Sequence, residues 1–255
     1  MTVIGVSLKL YFGYRQTLQW CDEVSTVLTD RQRAAAELFV LPSYPALPEA
    51  GRVLAAAGIG LGAQDLSADD AGAQTGEVGG GMLSEVGCRY VEVGHAERRQ
   101  LFGEDENVVA AKTAAALRHG LVPVLCLGEV EKQTSQTAAA ECVRQLDSAL
   151  QAARAADLGG RLVVAYEPHW AIGAPVPAPV DHITTVCSAL GGAIGRLPEH
   201  PQSVVIYGGS AGPGLLSRIA GHVDGLFLGR FAHDPAALAA VLDEAAELSE
   251  QDVTA

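Results

Sequence analysis

A chain of 255 residues, 49% hydrophobic and 18% charged, is long enough to bury one large core, and no apolar run reaches membrane-spanning length. Its 17 Lys and Arg against 30 Asp and Glu leave a formal net charge of −13, which argues against nucleic acid or an anionic membrane as partner. The five cysteines (Cys21, Cys88, Cys126, Cys142, Cys187) are widely spaced with no C-x-x-C pair, so no disulfide framework and no metal site is expected, and reduced thiols in a cytoplasmic protein are.

The chain enters a strand-like run at once, over Val3–Lys9, so no secretion signal is expected. A helical pattern follows, with Leu18, Cys21, Val24 and Leu28 on one face. Further strands are predicted at Glu37–Leu41, Ile59–Gln64, Tyr90–Val93 and Val122–Leu127. The fifth is preceded by Gly120, where a helix should end. Ala139, Cys142, Val143, Leu146, Ala149, Leu150 and Ala153 form one amphipathic stripe. Strands then recur at Leu162–Tyr166, Ser203–Tyr207 and Gly225–Leu228. Asp181 after Pro179 reads as a helix cap, and Asp234-Pro235 as cap and first helical residue of a last helix carrying Leu238, Val241, Leu242 and Ala245. Glu250 to Ala255 are expected to fray.

Most of these strands are continuous apolar runs, as parallel strands buried on both faces require. Eight βα units in 255 residues match a closed (β/α)8 barrel of the α/β class. An open doubly wound sheet would place a Gly-rich dinucleotide turn after the first strand, where Ser7-Leu8-Lys9 stands instead. No linker or low-complexity block interrupts the alternation, so one domain over residues 1–255 is expected.

Such barrels place their active site at the carboxyl ends of the strands. The predicted tips are unusually polar: Lys9, Gln64-Asp65, Gly94-His95, Gly128-Glu129, Glu167, Gly208-Gly209-Ser210 and Gly229-Arg230. Glu167, walled by Tyr166, Trp170 and Ile172, would be desolvated and so become a stronger base. If Ala96 to Arg99 open a helix, its N-terminal partial charge would hold His95 neutral, able to donate to a carbonyl. The other six histidines lack this setting and read mostly as surface. Lys9 would point into a pocket holding an anion. The glycine turns of strands seven and eight suit an anion-binding nest, and Arg230 adds positive charge against the acidic background. Pro168, His169, Trp170, Ala171 and Ile172, running on to Gly173-Ala174-Pro175, read as a water-excluding lid.

These segments together resemble the triosephosphate isomerase family along nearly the whole chain. The likeness rests on G-H-A-E-R-R (Gly94–Arg99) with L-F-G-E behind it, V-L-C-L-G-E (Val124–Glu129), A-Y-E-P-H-W-A-I-G (Ala165–Gly173), Y-G-G-S (Tyr207–Ser210), Ala63-Gln64 and T-G-E (Thr75–Glu77). The resemblance implies a TIM barrel that isomerises a small phosphorylated sugar between ketose and aldose forms without metal or cofactor. It assigns Glu167 as base, His95 as proton shuttle between the two oxygens of an enediol(ate), and Lys9 as electrostatic partner. It implies phosphate binding by the N–H groups of Gly173, Ser210 and Gly229, and supporting places for Glu97 and Cys126. It also implies a homodimer through the loop around Thr75.

Departures from the family pattern surround the substrate. Ser7 stands for the usual Asn and Ala96 for the usual Ser; Ala174-Pro175-Val176-Pro177-Ala178 replaces Thr-Gly-Lys-Thr-Ala, and Gly229-Arg230 replaces Gly-Gly. Ser7 is shorter than Asn and opens space beside the carbonyl. Arg230 would meet the phosphate or a longer sugar, and the two lid prolines would stiffen its far hinge. The favoured substrate is therefore a four-carbon ketose phosphate such as an erythrulose phosphate, with triose phosphate isomerisation and a non-catalytic sugar-phosphate binder as alternatives.

Overall fold

The apolar runs form strands because each buries both faces, one toward a common axis and one toward surrounding helices. The computed structural model describes residues 1–254, with side-chain surroundings through Gln251. Among the described residues the strands are β1 (Thr2–Ser7), β2 (Ala36–Leu41), β3 (Gly60–Ala63), β4 (Tyr90–Val93), β5 (Val122–Leu127), β6 (Val163–Tyr166), β7 (Val204–Tyr207) and β8 (Gly225–Leu228). All pairings are parallel, each strand bonds to the next, and β8 returns to β1, which closes a (β/α)8 TIM barrel. Closure leaves no sheet edge.

The connecting helices are α1 (Tyr14–Val27), α2 (Asp30–Ala35), α3 (Leu47–Ala56), α4 (Gly80–Glu85), α5 (Ala96–Phe102), α6 (Glu106–Arg118), α7 (Ser135–Ala149), α8 (Gln151–Ala155), α9 (Val180–Ile194), α10 (Leu216–Ile219) and α11 (Pro235–Thr254). Gly120 takes φ +70 just after α6, the left-handed exit predicted for it. Asp234 caps α11, its Oδ1 accepting from the Ala236 N–H at 2.9 Å.

Alternation along the strands sorts side chains into two cores. Val3, Phe39, Leu41, Tyr90, Val122, Val124, Cys126, Val163, Ala165, Ile206 and Phe227 fill the barrel interior. The intervening residues join the larger core beneath the helices. Phe39 and Tyr90 stack at 4.2 Å between centroids. They leave no room at Gly5, where a Cβ would stand 2.4 Å from Phe39 Cζ. Under Tyr90, Arg161 grips Glu37 with two bonds of 2.6 and 2.8 Å.

Several boundaries differ from expectation. β1 ends at Ser7, so Lys9 lies beyond the strand in a turn with φ +50. The stripe from Ala139 to Ala153 is split into α7 and α8 at Leu150, because periodicity does not register a local break. Asp181 sits inside the first turn of α9, whose N-cap is Pro179. His182 and His200 are buried rather than on the surface; His182 Nε2 meets Glu129 and His200 Nδ1 meets the Gly160 carbonyl, while His200 Nε2 has no hydrogen-bond partner among the described residues. The expected fraying at Glu250 is not seen: α11 continues to Thr254 and Glu250 pairs with Arg31, while Ala255 lies outside the described residues.

Behind the β3 and β4 tips lies a buried ion cluster. Lys112 reaches Asp65 at 2.6 and 2.8 Å and Glu104 at 2.6 Å, and Arg98 bonds the same two carboxylates. Removing one partner of such a cluster strands the others in low dielectric. Lys112→Met is expected to lower the unfolding free energy by about 3–5 kcal/mol, read as a reduced urea midpoint. A loss below about 1 kcal/mol, typical of a solvated pair, would contradict this account.

Candidate active site

The carboxyl ends of the strands enclose a cavity of about 560 Å³, within the usual range for small-molecule sites. Ser7, Lys9, Glu97, Glu167, Ile172, Gly173, Ser210, Gly229 and Arg230 all line it. The predicted residues thus converge from β1, β4, β6, β7 and β8. His95 stands just behind this lining, buried, with its Nε2 3.4 Å from Glu167 Oε2. These two atoms are buried, have no hydrogen-bond partner among the described residues, and face one another. Such orphaned polar atoms are costly unless something comes to meet them.

Glu167 follows β6 directly, and barrel closure removes its water. Burial pushes its carboxyl up to about 7, with Lys9 and the Cys126 thiol pulling against that rise. The walls differ from those expected. Tyr166 points toward the helices and its hydroxyl meets Glu129, and the Trp170 indole donates to the same carboxylate at 2.8 Å. Period-two alternation turns Tyr166 away from its neighbour. Of the three expected walls only Ile172 lines the cavity. Gly208 closes another side, because a Cβ there would stand 2.6 Å from Glu167 Oε1.

His95 is the N-cap of α5, and its Nδ1 accepts from the Glu97 N–H at 3.1 Å. An accepting Nδ1 leaves the single proton of a neutral ring on Nε2, aimed at Glu167. Burial is the main cause lowering its pKa to about 3, and Lys9, His169 and Arg98 add to it.

Lys9 is held by its surroundings in the left-handed region. Gln64 donates to the Lys9 carbonyl at 3.1 Å and to the Leu41 carbonyl at 2.9 Å, and Ser43 also donates to the Lys9 carbonyl. Its ammonium meets Glu97 at 2.7 Å. Burial alone would lower the Lys9 pKa, but Glu167, Glu97 and Glu92 outweigh it and the net shift is upward.

The segment read from the sequence as a lid begins with a 3-10 turn over His169–Ala171. Glu129 anchors it through Trp170 and through its own carbonyl, which accepts from the His169 N–H at 3.0 Å. Gly173 takes φ +71. Ser210 Oγ lies 2.8 Å from both the Ala171 and Ala174 carbonyls, so its one proton serves either. The far hinge is tied where the Ala178 N–H donates to the Tyr207 hydroxyl at 3.0 Å. The Arg230 guanidinium reaches beside Gly173 and pairs with no carboxylate among the described residues.

One site residue escaped the sequence reading. Glu92, in the middle of β4, is only 3% exposed. Its Oε2 accepts from the Ser7 hydroxyl at 2.9 Å, its Oε1 is 4.0 Å from Cys126 Sγ, and the His95 Nε2 lies 3.9 Å away. Burial pushes its carboxyl up to about 8, with Glu167 adding and Lys9 and Ser7 opposing. The signal was present: a carboxylate inside an apolar strand buried on both faces has no structural reason to be there.

A TIM barrel with a desolvated carboxylate, a neutral imidazole and a lysine at the open end of one cavity is an enzyme of acid–base type. The chain belongs to the triosephosphate isomerase family, which it matches over residues 2–245. It is 53% identical over 251 residues to an L-erythrulose-1-phosphate isomerase of Pectobacterium atrosepticum, covering 97% of each chain. It is 40% identical over 244 residues to an L-erythrulose-1-phosphate isomerase of Mesorhizobium japonicum, covering 90% of this chain and 91% of the relative. It is 41% identical over 223 residues to a triosephosphate isomerase of Symbiobacterium thermophilum, covering 84% and 86%.

The tautomer of His95 can be read directly. Nitrogen-15 spectra of the histidine rings are expected to show His95 neutral, with its proton on Nε2, throughout pH 5 to 8. A ring that protonates near pH 6.5 would contradict the effect of burial and of the α5 N-terminus.

Proposed function

We infer that the chain is an isomerase of short-chain sugar phosphates, working by enediol(ate) proton transfer, with an erythrulose phosphate as favoured substrate. The observation that carries this reading is the facing pair of unpartnered atoms, Glu167 Oε2 and His95 Nε2, beside the Lys9 ammonium. Glu167, when ionised, takes the proton from a carbon next to the carbonyl. His95 donates Nε2–H to the carbonyl oxygen and passes a proton between the two oxygens of the enediol(ate). Lys9, oriented by Glu97, stabilises the charge that develops. Cys126 packs beneath the carboxylates. Gly173, Ser210, Gly229 and Arg230 take the phosphate, and the lid of Pro168 to Ile172 excludes water.

The family reaction interconverts aldose and ketose phosphates. On a ketose 1-phosphate the oxygen of the first carbon is esterified. The same shuttle then moves the carbonyl from the second to the third carbon, which carries a free hydroxyl. Ser7 supports the longer sugar, because its short side chain leaves space where Asn is usual. Two relatives named L-erythrulose-1-phosphate isomerase support the same choice. The exposed loop around Thr75 is read as the contact with a second copy in a homodimer. The five buried free cysteines support a reducing cytoplasm.

Steady-state kinetics on L-erythrulose 1-phosphate and on glyceraldehyde 3-phosphate test the reading. A kcat/KM at least tenfold higher for the four-carbon substrate is expected, a difference of about 1.4 kcal/mol. A tenfold preference for the triose instead would make this a triosephosphate isomerase. Glu167→Gln should abolish solvent deuterium exchange while ligand still binds. Binding without exchange in the unmodified protein would leave a sugar-phosphate binder.

The pH dependence follows from the direction of the Glu167 shift. A base must be ionised, and burial raises its carboxyl to about 7. Therefore kcat/KM should fall below about pH 7, by tenfold per unit once well below it. A limb near pH 4.5 would mean that Glu167 is solvated.

A further inference from the structure

The top layer of the barrel interior is built from Ser7 of β1, Glu92 of β4, Cys126 of β5 and Glu167 just past β6. The rim residues Gly173, Ser210, Gly229 and Arg230 belong to loops above it. Ser7, Phe227 and Leu228 are the strand residues that line the cavity, and Ser7, two positions before Lys9, is the polar one among them. A sugar phosphate whose phosphate lies against the rim loops therefore extends its carbon chain down toward Ser7. A three-carbon ligand ends at the reacting carbon, and a four-carbon ligand has one hydroxymethyl group more.

We propose that Glu92 and Ser7 form the subsite for that terminal hydroxymethyl group, with Ser7 touching the ligand and Glu92 acting as a positioning residue through the 2.9 Å hydrogen bond between them. This deepens the reading above and rests on its four-carbon substrate. A carboxyl in a barrel interior is costly unless a ligand or partner uses it, and an apolar residue would fill the same place without that cost. Cys126 cannot satisfy it, since Sγ–H is a weak donor and stands 4.0 Å away. Among the described residues Ser7 is thus the one hydrogen-bond partner at ordinary distance, and its hydroxyl orientation is set by Glu92.

The protonation state of Glu92 explains why a hydroxyl is the matching group. The groups facing Glu92 are Lys9, Glu167, Glu97 and His95, together with Cys126 and Ser7. Burial raises the carboxyl to about 8, so both forms are present near neutrality. As a neutral acid it donates to Ser7 Oγ and frees the serine proton to point into the cavity. As a carboxylate it accepts a hydrogen bond from the Ser7 hydroxyl and leaves Ser7 lone pairs facing the ligand. A hydroxyl donates and accepts, so it is satisfied in either state. A methyl or a bare end of the cavity satisfies neither.

Calorimetric binding of two unreactive probes, erythritol 4-phosphate and glycerol 3-phosphate, to the full chain tests the subsite. Neither probe carries a carbonyl, so turnover does not enter. The unmodified protein is expected to bind the four-carbon probe at least tenfold more tightly. Ser7→Ala and Glu92→Leu should bring that ratio to threefold or less, and Glu92→Gln, which keeps a group able to meet Ser7, should restore part of it. The proposal is overturned if the unmodified protein shows no preference, or if the ratio survives both changes. It is also overturned if both affinities fall together at constant ratio, which is the signature of a merely structural pair. Should Glu92→Leu fail to fold, Ser7→Ala and Glu92→Gln decide by the same ratio. Absence of erythrulose phosphate turnover with the binding preference intact would remove the proposed reaction and leave the subsite standing. Turnover with no loss of preference in the variants would do the reverse.

Discussion

The site depends on withdrawing carboxylates from water within a closed barrel. Glu167 and Glu92 occupy one interior layer, where neither is solvated and each disfavours the charge of the other. A single ammonium, Lys9, stands against them, and it is already shared with Glu97. The layer therefore cannot ionise fully. The carboxyl nearer the cavity is the easier to deprotonate, and the deeper one keeps its proton longer. Burial raises both, and the charge of Glu167 adds to it at Glu92.

The supports of the three polar side chains are as specific as the side chains themselves. Gln64 pins the turn that carries Lys9, the Glu97 N–H sets the tautomer of His95, and Gly208 makes room for the Glu167 carboxylate. Each support belongs to a different strand tip from the residue it positions, apart from the local α5 cap. The same holds for the segment after β6 that is proposed as a lid. Glu129 on one tip anchors its start, while Ser210 and Tyr207 from β7 hold its middle and end.

A net charge of −13 sits uneasily with an anionic ligand, and the answer is local. Arg230 lines the cavity without a carboxylate partner among the described residues, beside Gly173. The remaining acidic residues near the site are mostly engaged, in the cluster around Lys112 or in the pocket around Glu129. Arg230 thus brings a positive charge to a cavity that Glu97 and Glu167 also line, and paired charges elsewhere act on it only over short range because solvent screens them.

The barrel and the polar strand tips were legible in the amino-acid order, because parallel strands buried on both faces must read as apolar runs and the residues after them must face the open end. Glu167, His95, Lys9 and the two glycine turns stood out as a group at those tips, and the family resemblance gave them their roles. What the order could not convey is which side chains meet across the barrel axis. Tyr166 was taken for a wall of Glu167, yet the pleat turns it outward, and Lys9 was placed in a strand although Gln64 and Ser43 bend it into a left-handed turn. Glu92 was passed over inside an apolar run. Its partner Ser7 is 85 positions away, and only closure of β8 onto β1 and the resulting radial geometry bring the two within 2.9 Å. Local pattern determines which residues are strand, rim or core; the meeting of distant side chains is a property of the closed surface, decided by strand register and by the exclusion of water.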